Sequence, residues 1–152
     1  MAAVQGRRDS EVDIWRQMVA LTNRIGNTLD RRLQRAHGLS VAEYTALTVL
    51  AERKRAGGVR MQDLAEAVGQ SQSTMSRLIV RLENSDLAGR TISAEDRRVT
   101  YAQITETGER VVAEAVDTFK KELGTALDVA SFDERTASLV ARLRHNPAAP
   151  AE

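Results

Sequence analysis

The chain has 152 residues, formal net charge +1 and 42% hydrophobic residues, enough for one domain with a real core and no need of staples. With no cysteine, it has no disulfide framework, thiolate zinc site or redox-sensing thiol. Near-neutral charge excludes a histone-like polycation, and 3% aromatics argue against single-strand binding on stacking platforms.

Residues 1–9 are polar, lack the apolar core of a secretory signal and are expected to be disordered. No apolar run reaches the roughly 18 residues of a membrane span, so a cytoplasmic protein without a membrane partner is expected. Ser10 and Asp13 suggest a helix start. Trp15, Met18, Thr22, Ile25, Leu29 and Leu33 then recur at spacings of three and four, marking one apolar stripe on a long helix over 10–38. Gly38 suits its left-handed end. A second start follows. Ser40 can cap, Glu43 can reach back, and Leu39 can staple onto Tyr44. This helix carries Leu47 and Leu50 and stops at Gly57-Gly58.

A short helix over about 61–68 buries Leu64, Ala65 and Val68. Its cap is poor, because Arg60 and Met61 stand where Ser or Thr is expected. Gly69 turns the chain, and Ser71 can cap a helix to about Ser85 whose buried face is Met75, Leu78, Ile79 and Leu82. Two helices joined by a short Gly turn make a helix-turn-helix. Segments 89–93 and 99–104 read as strands flanking a charged tip, 94–98. Thr105 can cap a long helix with Val112, Val116, Phe119, Leu123 and Leu127 on one stripe. Ser131 with Glu134 starts a last helix carrying Leu139, Val140 and Leu143. The tail 146–152 is expected to be disordered.

The outward positions of the helix after Ser71 are short hydrogen-bonding residues and arginines, the side chains that read base edges in the major groove. Gln72, Ser73, Thr74 and Arg77 are the candidates for base contact. Ser71, at the helix N-terminus, suits a phosphate, and Arg81 extends the same face. Arg97 and Arg98 sit on the protruding tip, where an arginine suits a narrow minor groove. Asp96 can stabilise that wing by pairing with one of them or with Arg77, and Arg97 is the preferred groove contact. From Arg60 to Thr100 there are six arginines and six acids, so binding must come from one arginine-rich surface. That balance keeps a second reading open, a dimeric winged-helix module that binds protein instead of DNA.

The order helix, turn, polar-faced helix and basic-tipped hairpin is a winged helix. Gly38-Leu39-Ser40, Leu64-Ala65, Ser73-Thr74-x-x-Arg77-Leu78, Arg81-Leu82-Glu83, Asp96-Arg97-Arg98 and Ile104-Thr105-x-x-Gly108 together resemble the MarR family of winged-helix transcriptional regulators. About half the chain carries the resemblance. It implies a mainly α fold with a small β-hairpin wing, a DNA-binding lobe over 39–105, and dimerisation helices over 10–38 and 106–145. It further implies a homodimer on double-stranded DNA, usually a repressor of a pseudo-palindromic operator, released by a small effector ligand. Asp86-Leu87 departs from the family's usual Gly-Leu, and Asp tolerates the left-handed geometry needed there better than most residues. Independently of the resemblance, long apolar stripes at both chain ends want a partner, and a two-fold dimer is the commonest one.

Trp15, Arg24, His37 and Tyr44 could line an effector cleft, although Trp15 and Tyr44 read first as core or interface residues. With two histidines and no cysteine, no metal site is expected. No cofactor loop and no nucleophile–base set is present, so an enzyme is not expected.

Overall fold

The computed structural model describes residues 2–145; the expected disordered tail 146–152 lies outside them. The elements are α1 (Ala2–His37), α2 (Val41–Glu52), β1 (Val59–Arg60), α3 (Met61–Val68), α4 (Gln72–Asn84), β2 (Ala88–Ile92), β3 (Thr100–Ile104), α5 (Glu106–Ser131) and α6 (Glu134–Arg144). Among the described residues no helix is long and apolar enough to cross a membrane.

The chain divides into two compact units, and the division runs through α1 and α5. One unit is Asp30–Phe119, and the other joins the two chain ends. In the central unit, Leu33, Leu39, Leu47, Leu50, Leu64, Met75, Leu78, Ile79 and Leu82 form a single buried cluster. Each such side chain contributes roughly 1.5–3 kcal/mol when removed from water. In the end unit a smaller cluster gathers Leu21, Ala130 and Val140, with Ile25, Leu127 and Leu139 against it.

The second helix starts as its residues require. The Ser40 hydroxyl accepts from Glu43 N at 3.2 Å, and Ser40 N donates to Glu43 Oε2 at 2.9 Å, closing a capping box. Asp30 Oδ1 takes the next free amide, Val41 N. The helix ends at Glu52, and a 3-10 turn over Lys54–Ala56 carries the chain to Gly57, earlier than the expected stop.

The sheet has three strands, not the two of a bare hairpin. β3 lies between β1 and β2, antiparallel to both, with Val59 opposite Ala102 and Gly89 opposite Gln103. β1 is two residues long and carries no local period, so only its pairing defines it. Arg60 ends this strand, which accounts for the poor cap: its side chain makes no capping bond to α3.

Two helix starts differ from expectation. Ser10 lies inside α1 and does not start it. At α6 the cap is Asp133, whose Oδ1 accepts from Arg135 N at 3.0 Å. Ser131 closes α5 instead, its hydroxyl donating to Asp128 O at 2.6 Å.

Candidate nucleic-acid interface

α3 and α4 are joined through Gly69, which sits at φ +70. Gly69 N and Gln70 N return to Glu66 O and Ala65 O, a closure that needs the left-handed conformation. Ser71 then caps α4, accepting from Thr74 N at 3.2 Å. With Met75, Leu78, Ile79 and Leu82 buried, the opposite face must be outward. Gln72, Ser73, Ser76, Arg77, Val80 and Arg81 are exposed there.

Several polar side chains on this face are already committed. The Ser71 hydroxyl bonds to Ser73 Oγ at 3.2 Å and donates to Thr74 Oγ1 at 2.9 Å, so these three form one hydroxyl cluster at the helix start. Thr74 is half-buried and serves the cap more than the surface. Arg81 Nε donates to Glu43 Oε1 at 3.0 Å, tying the last turn of α4 to the capping box of α2. Burial pushes the Glu43 carboxyl up, but the Ser40 amide, the Arg81 guanidinium and the Ser40 hydroxyl outweigh it. The carboxyl is held net below its ordinary range.

The wing tip is a built turn. Ser93 N donates to Val99 O and Val99 N to Asp96 O, both at 2.9 Å. Asp96 Oδ1 accepts from Arg98 N at 3.0 Å and Arg98 Nε at 3.1 Å, and Oδ2 from Arg98 Nη2 at 3.3 Å. The Arg98 side chain and amide therefore hold the Asp96 carboxyl below its usual range. Asp96 pairs with Arg98, not with Arg77. Arg97 is exposed at the adjacent turn position and has no ion pair among the described residues.

The arginines thus fall into two sets. Arg81 is paired with Glu43, Arg90 with Glu83 at 2.8 Å, and Arg98 with Asp96. Among the described residues, Arg60, Arg77 and Arg97 form no ion pair, and Arg77 and Arg97 are on the α4 face and the wing tip. The local balance of six against six hides this sorting. Two features had no sequence signal. Val80 extends the outward face as an apolar patch, and Arg60 reaches the interface only through β1.

The four residues read as an effector cleft are divided between the units, and three of them are engaged with other partners. In the end unit Trp15 is 64% exposed, and Arg24 pairs with Asp133 at 3.5 Å. In the central unit Tyr44 is buried and stacked on Phe119, with centroids 4.5 Å apart. His37 Nε2 shares a 2.9 Å hydrogen bond with Thr118 Oγ1. Among the described residues no three histidine or acid side chains gather as a metal site.

A sequence profile of the MarR family matches residues 37–99. The HTH-type transcriptional regulator MhqR of Bacillus subtilis is 29% identical over 98 residues, covering 64% of this chain and 66% of that protein. An uncharacterized HTH-type regulator of the same organism, YfiV, is 32% identical over 53% of this chain and 51% of its own length. The matched region therefore spans between half and two thirds of these relatives. Among solved structures, AbsC of Streptomyces coelicolor, a MarR family regulator, superposes with a TM-score of 0.67 at 28% identity, covering 91% of this chain and 97% of AbsC. Sco3205 of the same organism, a MarR family regulator solved in complex with DNA, superposes with a TM-score of 0.72 at 27% identity, covering 86% of this chain and 81% of that one.

Proposed function

We propose that this chain, which matches a MarR family profile over residues 37–99 and superposes on MarR family regulators, is a homodimeric transcriptional regulator, a repressor, that binds a pseudo-palindromic DNA operator. α4 enters the major groove, and the wing tip points towards the minor groove. The observation that carries this reading is the sorting of the arginines. Arg77 and Arg97 stand exposed and unpaired on the two elements that a winged helix offers to DNA, while the acids nearby neutralise Arg90 and Arg98. Gln72 and Ser76 offer hydrogen bonds to base edges beside Arg77, and the hydroxyl cluster at Ser71, Ser73 and Thr74 suits a phosphate at the helix start.

The charge balance that keeps a protein-binding module open includes two local pairs, Arg90 with Glu83 and Arg98 with Asp96, which leave Arg77 and Arg97 uncompensated on the outward face. The homodimer is supported by the end unit, where Trp15, Met18, Val129, Phe132 and Leu143 remain exposed, Phe132 at 88%. Apolar surface of this extent marks an interface. A two-fold dimer presents two recognition helices about 34–36 Å apart, one turn of DNA.

Release by a small effector is part of the same proposal. In the central unit an open depression of about 470 Å³ beside Asp30, Arg31, Gln34, Arg35 and Ser40 is a candidate place for it.

A mobility shift on the DNA upstream of its own gene, with light scattering on the same sample, tests this reading. A dimer that retards that duplex supports it. A monomer at micromolar concentration, or a folded dimer that retards no duplex at any salt, contradicts it.

A further inference from the structure

Between the start of α3, the outward side of α4 and the two long strands lies a groove of about 300 Å³. Arg60, Gln72, Ser76, Arg90, Arg98 and Thr100 line it, and no carboxylate does. Two of its three guanidinium groups are neutralised, Arg90 by Glu83 and Arg98 by Asp96. Arg60 has no ion pair. Its Nε donates to the Tyr101 hydroxyl at 3.3 Å, and its guanidinium lies over the Tyr101 ring, 5.9 Å from the centroid. Asp63 and Asp96 act on it only at longer range.

The backbone explains why the side chain is so placed. Arg60 is the register partner of Tyr101 across β1 and β3. It stands at the cap position of α3 without capping, so the side chain is free for another task. Tyr101 occupies Nε and one face of the guanidinium plane. The terminal Nη donors remain for an acceptor in the groove, and a planar guanidinium matches the paired oxygens of a phosphodiester.

We propose that Arg60, oriented by Tyr101, seats a backbone phosphate of duplex DNA in the groove between α4 and the wing. The inference rests on the DNA-binding reading and adds to it a contact that carries no base information. Arg60 fixes how the protein sits on the duplex, and Gln72 and Arg77 remain the residues that read sequence.

The test is the slope of log Kobs against log[salt] on an operator duplex and on an unrelated duplex, for wild type, Arg60→Ala, Arg60→Lys and Tyr101→Phe. Each phosphate contact removed lowers the slope by about 0.9. Arg60→Ala is expected to show that loss for each protomer bound, with affinity down about tenfold on both duplexes alike. Arg60→Lys keeps the charge and so the slope, at weaker affinity. Tyr101→Phe keeps the ring and slope and lowers affinity about twofold to threefold. Thermal melts of the same samples report folding, and exposed Arg60 leaves the core untouched when removed. An unchanged slope in folded Arg60→Ala, with wild type binding normally, overturns the phosphate seat alone. Loss confined to the operator duplex overturns it too, because a base reader would behave that way. Failure of wild type to bind either duplex overturns the regulator reading and this inference with it.

Discussion

The Thr105 hydroxyl donates to the Asp86 carbonyl at 2.7 Å, joining the start of α5 to the residue that ends α4. Thr105 N donates to the next carbonyl, Leu87 O, at 3.1 Å, and Thr105 Oγ1 accepts from Gly108 N at 3.0 Å. Both ends of the wing hairpin are therefore fixed at one point. Asp86 N and Leu87 N return to Glu83 O and Leu82 O, the paired closure of a helix that ends in a left-handed residue. Asp86 is that residue, at φ +55, and is the one non-glycine with positive φ among the described residues.

Replacing Asp86 by a β-branched residue is expected to destabilise the protein, because left-handed backbone costs such side chains about 1–2 kcal/mol. Asp86→Val should lose at least that much, while Asp86→Gly should change stability by less than about 1 kcal/mol. Denaturant midpoints of the two variants check this. Equal stability would contradict the conformational argument.

Gly108 has no room for a side chain. A Cβ there would collide with the Leu87 carbonyl and crowd Ile104 Cγ1. Because the first obstacle is backbone, relaxation requires α5 to move away from the wing. Gly108→Ala is expected to lose about 1–3 kcal/mol although alanine is the better helix former. A melting temperature at or above wild type would show that α5 is not held there.

Much of this was legible in the chain. The capping box at Ser40, α3, α4 and the wing strands each depend on residues within a few positions of one another, and such signals survive in sequence. The left-handed role of Asp86 was readable only through the resemblance, which puts it where glycine is usual. What was missed depends on distant partners. β1 exists because Val59 pairs with Ala102, and Arg81 is occupied by a carboxylate 38 residues away in the chain. The same limit hid Arg60 and left open which arginine Asp96 would hold. At α6, Ser131 and Asp133 were both chemically able to cap, and only the backbone distinguishes them.

Stability should depend on Glu43 in acid. Its folded carboxyl lies below its ordinary value near 4.5, so its contribution is full above that unfolded value and is lost as pH falls through the folded one. Glu43→Gln is expected to flatten the stability profile between about pH 5 and 3. It should also lower stability at pH 7 by about 1–2 kcal/mol as Arg81 loses its partner. Denaturant titrations across that range check both, and parallel profiles for the two proteins would contradict the assignment.

Asp96 gives a test by sign. If only net charge mattered, removing an acid from the wing would strengthen DNA binding. Here Asp96 locks the tip through three bonds to Arg98, so Asp96→Ala is expected to weaken binding by about threefold to tenfold. Fluorescence anisotropy at fixed salt reads the direction, and tighter binding would rule out a positioning role.

The sorting of arginines into paired and unpaired sets is best tested by dissociation constants for operator duplex at one salt concentration. Arg77→Ala, Arg97→Ala and Arg90→Ala are compared with wild type, each confirmed folded. The expected result is a loss of about tenfold to a hundredfold for Arg77→Ala and Arg97→Ala, with Arg90→Ala within about threefold of wild type because Glu83 already holds that side chain. Losses of equal size in all three, or none for Arg77→Ala and Arg97→Ala, would contradict the account.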